Sequence, residues 1–383
     1  MKTFRFSVMF LILVVILWTI SEGSAYANAR ENGENASRNT IENTTTNVNT
    51  VENLAVENGL NYFRKRLDAG IMPGDGAFKN DSAITALVGM AFLSSGSTPT
   101  EGPDAQYVRR CMTLILENVR SNGVLASSNA TEQGAIYAHG FAVTFLAECL
   151  GMSSEDERLR VVLEKAVTRI VQAQGKNGGW RYGFQPDEED VSVTACLLTA
   201  LRACRNAGIP VPATTIKNGI KYLLHCQNPD GGFRYRLVAG PSAYPRTAAA
   251  VAGLCAAGTY NRPEIHQALK YMKTATPSEA NSETDGYYFY AQYYAVQAFR
   301  LTATETETQT DAKTKIKPET KVKTETKAET EMEADAIQTI ISELIRLQKP
   351  DGSWRSALST DYATAMALIV LQVETNYLPI LQK

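Results

Sequence analysis

The sequence predicts an all-α protein, an α/α toroid built as an (α/α)6 barrel of six helical-hairpin repeats. Three observations lead there. Gly-centred turns recur at Gly76, Gly123, Gly178, Gly231, Gly286 and Gly352, at intervals of 47, 55, 53, 55 and 66 residues, the spacing of a repeat architecture. An amphipathic helix precedes each turn and a more uniformly apolar one follows it. Three of the turns also share one motif, Q-x-x-x-G-x-W or its Phe variant.

At the amino terminus, Lys2 and Arg5 precede an apolar run from Phe6 to Ile20. Ala25-Tyr26-Ala27 and Ala27-Asn28-Ala29 then offer small-x-small cleavage sites. This is the order of a secretory signal peptide, read as residues 1–27. The run falls short of the about 20 apolar residues that span a bilayer. The expectation is an exported protein, periplasmic or secreted; membrane association follows only if the leader stays uncleaved. Residues 28–51 are rich in Asn, Thr and Glu. They cannot bury enough surface to offset ordering entropy and read as a disordered linker.

The toroid domain is expected over residues 52–383. Its outer helices show one apolar stripe: Leu163, Val167, Ile170 and Val171; Ile216, Ile220, Leu223 and Leu224; Ile337, Ile340, Ile341 and Leu344. Their partners AITALVGMAFL, FAVTFLAECL, VSVTACLLTALRAC and YATAMALIVLQV are apolar nearly all round, as helices of an interior layer are. An open solenoid is the alternative to a closed ring, but its polar capping repeats are not visible. A Thr/Glu/Lys-rich tract at 302–335 reads as a disordered, solvated insertion. It is either a tolerated surface loop or a partner-binding arm.

Formal net charge is −2, which leaves no basic footprint for nucleic acid. Six cysteines are present, none in a CxxC arrangement. Cys196 and Cys204 lie about 12 Å apart along one helix, too far for a disulfide. Cys149, Cys196 and Cys255 sit in apolar helical stretches and read as small buried hydrophobes, with pairing between repeats left open.

In the shared motif, Gln174, Gly178 and Trp180 recur as Gln227, Gly231 and Phe233, and again as Gln348, Gly352 and Trp354. Weaker echoes stand at Gly76 to Phe78 and Gly286 to Tyr288. Glutamine can satisfy backbone groups at a helix end, glycine supplies positive φ, and the aromatic buries area against the next hairpin. The motif is structural.

This pattern resembles the QW repeats of squalene cyclases and the repeats of protein prenyltransferase β subunits. The likeness is closer to exported planctomycete-type proteins with prenyltransferase/squalene-oxidase repeats. It shows in YAHGFAVTFLAE, GGWRYGFQPDEEDVSVTACLLTALRACRNAGIPVP, CQNPDGGFRY and YATAMALIVLQVETNYLPILQK, and covers roughly residues 52 to 383. It implies the toroid fold of the terpenoid cyclase/prenyltransferase superfamily.

The family chemistry is expected to be missing. The cyclase motif D-x-D-D-T-A meets Asp190-Val191-Ser192-Val193-Thr194-Ala195, so both later aspartates, including the proton donor, are replaced. The zinc-binding D-x-C segment of prenyltransferases meets Asp285-Gly286-Tyr287, and the zinc histidine falls at about Ala363. Catalytic zinc needs three protein ligands; Asp285 alone remains. His139, His225 and His266 lie on different repeats. No thioester segment is present. Neither a metal nor a cofactor is expected.

A candidate pocket is expected where the starts of the inner helices converge: His139, Asp190, Tyr244, Arg246, Tyr287, Tyr290 and Asp361. Each has a bland alternative. Asp81, Asp190 and Asp361 can be N-caps, although Asp187, Glu188 and Glu189 beside Asp190 can raise its pKa. The aromatic run Tyr287 to Tyr294 can be ring packing, and His139 a satisfied interior histidine. The expected function is a ligand- or partner-binding scaffold without the family's catalytic acid and zinc site. The alternative is an enzyme acting on an isoprenoid or a glycan.

Overall fold

A computed structural model describes residues 50–383, apart from 129, 131, 187, 276, 278–281, 314–319 and 383, and apart from the side chains of 132–133 and 304–331. The expected signal peptide and nearly all of the expected linker lie outside the described residues. The chain divides into units 1–54 and 55–383; the second is the subject below. Among the described residues no helix is long and apolar enough to cross a membrane.

The second unit alternates outer and inner helices. The outer ones are α1 (residues 50–68, of which 55–68 belong to this unit), α3 (Ala105–Glu117), α5 (Asp156–Gln172), α7 (Ala213–His225), α9 (Pro263–Thr274) and α11 (Thr320–Leu347). The inner ones are α2 (Ser82–Ser94), α4 (Glu132–Cys149), α6 (Val191–Asn206), α8 (Tyr244–Ala256), α10 (Tyr288–Lys313) and α12 (Thr360–Leu371). Among the described residues there is no strand, only three isolated bridges in the turns. The fold is the expected α/α toroid.

Each inner helix packs on the next, from α2 through α4, α6, α8 and α10 to α12, and α12 packs back on α2. That last contact closes the ring and rules out the open solenoid. Burial follows the sequence pattern. Every residue of α2 but Ala83 is buried, whereas α5 buries one face, Leu159, Val162, Leu163, Ala166, Val167 and Ile170. Inner backbones approach closely where side chains are small: a Cβ on Gly140 of α4 would stand 2.7 Å from Cys196 Sγ of α6.

The repeat motif is the clamp between hairpins. Gln174 Nε2 donates to Gly178 O at 2.8 Å and to Thr215 O of α7 at 2.8 Å. Gln227 does the same to Gly231 O (2.9 Å) and Glu264 O (2.7 Å), and Gln348 to Gly352 O (3.0 Å) and Ala55 O (2.8 Å). The last pair spans the closure seam, from the final turn to the first helix. Gly178, Gly231 and Gly352 have φ of 100°, 88° and 88°, and a Cβ at Gly352 would meet Asn58 O at 2.3 Å. Both indoles donate backwards into their own hairpin, Trp180 to Ile170 O at 2.8 Å and Trp354 to Leu344 O at 2.7 Å. Gly286 is the exception among the six turns, without positive φ.

Within the 302–335 tract, read from sequence as a disordered, solvated insertion, α10 runs to Lys313 and α11 starts at Thr320, with 314–319 outside the described residues. Glu, Lys and Ala are strong helix formers, so each flanking helix propagates into the tract. All six cysteines are free and buried. Burial pushes the Cys196, Cys111 and Cys204 thiols up to about 12, which leaves them unreactive.

The seam generates a stability prediction. Gln348→Ala removes two hydrogen bonds, at about 1–3 kcal/mol. Gln348→Glu, which cannot donate, should cost as much. Urea denaturation that found either variant as stable as the parent would remove the amide clamp from the account.

Candidate functional site

The inner-helix starts do converge on one cavity, of about 620 Å³. All six contribute: Ala83, Ile84 and Leu87 from α2; Gly134, Tyr137 and Phe141 from α4; Ser192 from α6; Pro245 and Arg246 from α8; Tyr290 from α10; Tyr362 and Met366 from α12. The preceding loops add Phe78, Asp81, Tyr182, Tyr235, Gly286, Tyr287, Leu358 and Ser359. The wall is therefore mostly aromatic and aliphatic. Tyr287, 67% exposed, and exposed Leu358 stand at its rim.

Of the seven expected pocket residues, Arg246, Tyr287 and Tyr290 line this chamber. The repeat-five tyrosines divide between lining and packing. Tyr290 lies 4.7 Å from Tyr294, and Phe141 lies 6.2 Å from Tyr293, centroid to centroid. Buried Tyr293 and Tyr294 thus close the ring beneath the chamber.

Asp190 and Asp361 sit just behind the wall. Asp190 is fully buried, accepts from Val193 N–H at 2.9 Å as the cap of α6, and lies 3.5 Å from the Tyr235 hydroxyl. Burial raises its carboxyl to about 6, with Val193 N–H, Arg181 and Tyr235 holding it lower. Asp361 is neither a cap nor a wall residue. Ser359 caps α12, and Asp361 faces the first hairpin. There it accepts from Tyr62 Oη (2.8 Å), Arg66 (2.9 Å) and Gly74 N–H (2.8 Å). A residue in the first helical turn faces the core or the neighbouring hairpin according to a rotation of about 100° per residue, and Asp361 falls one step off the cavity face that Tyr362 occupies.

His139 and Tyr244 are also placed elsewhere. His139 is fully buried; its Nδ1 accepts from Leu125 N–H at 3.0 Å and its Nε2 pairs with Ala166 O at 3.2 Å. It staples α4 to the turn and to α5. Tyr244 is buried in the ring wall, its hydroxyl pushed up by desolvation.

The residues that sequence reasoning missed include Tyr137, Tyr182, Tyr235 and Tyr362. Tyr182 and Tyr235 stand two residues beyond the motif aromatic in Trp180-Arg181-Tyr182 and Phe233-Arg234-Tyr235. Their hydroxyls hydrogen-bond at 2.7 Å. That repeated position was the available signal. Asp81 is the one carboxylate among the lining residues; it caps α2 through Ala83 and Ile84 N–H at 2.8 and 3.2 Å, and burial raises its pKa.

The donor set does not fit zinc. Asp285 spends a carboxylate oxygen on Tyr287 N–H at 2.8 Å, Ala363 is a buried methyl, and no group of three ligating side chains occurs among the described residues.

No protein-family model and no curated protein matches the chain. Solved structures do. The type II terpene cyclase MstE from Scytonema, as a variant in complex with its substrate geranylgeranyl dihydroxybenzoate, is similar with a TM-score of 0.54 at 15% identity, over 87% of this chain and 98% of that one. Apo MstE gives 0.52 at 15% identity, over 86% and 100%. A variant holding the product, merosterolic acid A, gives 0.51 at 15% identity, over 85% and 96%. At such identity the likeness is one of fold: this chain has the α/α toroid of a terpene cyclase.

Neutral His139 gives a pH prediction. Burial holds its folded pKa at about 4, below the ordinary 6.5. Its stabilising effect is therefore complete above pH 6.5 and is lost as pH falls towards 4, on the order of 3 kcal/mol in all. His139→Gln should destabilise at pH 7.5 by about 1–3 kcal/mol and flatten the decline between pH 6.5 and 4. An unchanged slope in denaturation curves would show that His139 does not set it.

Proposed function

We propose that the protein binds an apolar, isoprenoid-type ligand in the mouth chamber and acts as a binding protein, without cyclase or prenyltransfer chemistry. The observation that carries this reading is the wall itself, a continuous aromatic and aliphatic lining around about 620 Å³. Small-molecule pockets run from about 300 to 1,000 Å³. At about the 30 Å³ of a water per methylene-sized group, the chamber has room for on the order of 20 such groups. The residue at the place of the cyclase motif's central aspartate, Ser192, does line the chamber, and a serine hydroxyl cannot protonate an alkene. A glycan-processing reading needs two facing carboxylates, and the described lining carries only Asp81. The substrate of MstE, geranylgeranyl dihydroxybenzoate, supports the isoprenoid class.

The test uses farnesol, a neutral fifteen-carbon isoprenoid, in equilibrium dialysis. Saturable one-to-one binding is expected. Ala83→Trp, which places an indole in the chamber, should weaken it at least tenfold. Absence of saturable binding by the folded parent would end this reading.

A second reading rests on Asp81, a buried carboxyl on an aromatic chamber, as a proton donor to a bound isoprenoid. Conversion of farnesol detected by mass spectrometry, and lost in Asp81→Asn, would replace the binding role with a catalytic one. The role outside the cytoplasm rests on the leader. A mature protein beginning near Asn28 or Arg30 in an exporting host is expected, and one retaining residue 1 would count against export.

A further inference from the structure

The chamber wall carries one carboxyl, Asp81, and positive charge is gathered at the side of the mouth around Tyr235. Three guanidiniums surround the Tyr235 ring: Arg181, Arg236 and Arg246 stand 5.9, 5.6 and 5.9 Å from its centroid. Two of them are already paired. Arg181 and Arg236 share the Glu188 carboxylate, the second at 2.7 Å, and Arg181 also acts on Asp190. Arg246 has no carboxylate within ion-pair distance among the described residues. One of its terminal nitrogens donates to Pro241 O at 2.8 Å, and its Nε is buried without a partner. Arg246 is also the guanidinium that lines the chamber.

The backbone favours the same place. Among the inner helices, α2, α6 and α12 carry their own caps in Asp81, Asp190 and Ser359. No side chain caps α8, which starts at Ala243 and Tyr244 with Pro245 in its first turn. Ala243 and Pro245 line the chamber beside Arg246. An uncapped helix start presents partial positive charge, and here it adds to an unpaired guanidinium. The hydroxyls of Tyr182 and Tyr235 stand at this side of the wall, joined by one hydrogen bond of 2.7 Å.

We propose that this side of the mouth holds the carboxylate of an amphipathic ligand whose hydrocarbon part fills the aromatic chamber, with Arg246 as its counter-ion. The inference rests on the reading of the chamber as an isoprenoid pocket and deepens it by naming the head group. Glu188 and Asp190 are met by Arg181 and Arg236, so Arg246 is the guanidinium left to pair with a ligand carboxylate. A diphosphate would bring more negative charge than the rim can neutralise and would crowd Asp81 on the same lining.

The experiment compares three probes that share one fifteen-carbon chain: farnesoic acid, farnesol and farnesyl diphosphate, titrated into the mature protein at pH 7.5 in low salt. Farnesoic acid should bind at least tenfold tighter than farnesol, and tighter than the diphosphate. Salt should weaken binding of the acid and leave that of the neutral alcohol unchanged. Arg246→Gln should abolish the preference for the acid over the alcohol, while Arg246→Lys should retain part of it. Equal affinity for acid and alcohol, or a preference for the diphosphate, overturns the head-group assignment and leaves the pocket standing. Binding of none of the three by folded protein overturns both. If Arg246→Gln fails to fold, Arg246→Lys and the salt dependence of the parent decide.

Discussion

In three of the six turns a glutamine amide donates both of its N–H groups at once, one to the glycine carbonyl four residues on and one to a carbonyl of the next outer helix. An amide nitrogen has two donors in fixed geometry, so each clamp sets both the turn and the position of the following hairpin. The glycine is obligatory because its φ is positive and a neighbouring backbone oxygen sits where a Cβ would stand. At Gln348 the same device ties the last repeat to the first. Asp361 with Tyr62, Arg66 and Gly74, and Gln372 with Ala91 O at 3.1 Å, reinforce that seam. Everything at the mouth depends on this closure, since α2 and α12 supply adjacent parts of the wall.

The fold was legible because its signals are local and repeated. Turn glycines, a donor amide and an aromatic at fixed spacing each reflect a backbone requirement that no neighbour can override. The chamber was legible only in outline. Its place at the inner-helix starts followed from the repeat order, but the side chains that face it depend on rotations that sequence spacing does not fix. Asp361 and Tyr362 are adjacent, yet one binds the first hairpin and the other lines the cavity. His139 lies between the wall residues Tyr137 and Phe141 of α4 but is turned about 200° from each, where it satisfies Leu125 N–H instead of facing a ligand. Arg246 was found because it opens its helix, and Tyr182 and Tyr235 were overlooked because they belong to turns whose interest seemed to end at Trp180 and Phe233.

The electrostatics of the chamber bear on what it does. Burial raises the hydroxyl pKa of Tyr137, Tyr182, Tyr290 and Tyr362, so these wall groups are neutral near pH 7. Asp190 is raised too, but only to about 6. It is held by Val193 N–H and Tyr235 and is not itself a lining residue. An acid able to protonate an alkene has to be protonated, desolvated and on the reacting surface together. Asp190 is behind that surface, Ser192 is on it without an acidic proton, and Asp81 is on it with one oxygen committed to two backbone N–H groups that favour the anion. What the surface presents is hydrocarbon and aromatic faces with the Asp81 carboxyl and the Arg246 guanidinium set among them, and the proposed binding role rests on that lining.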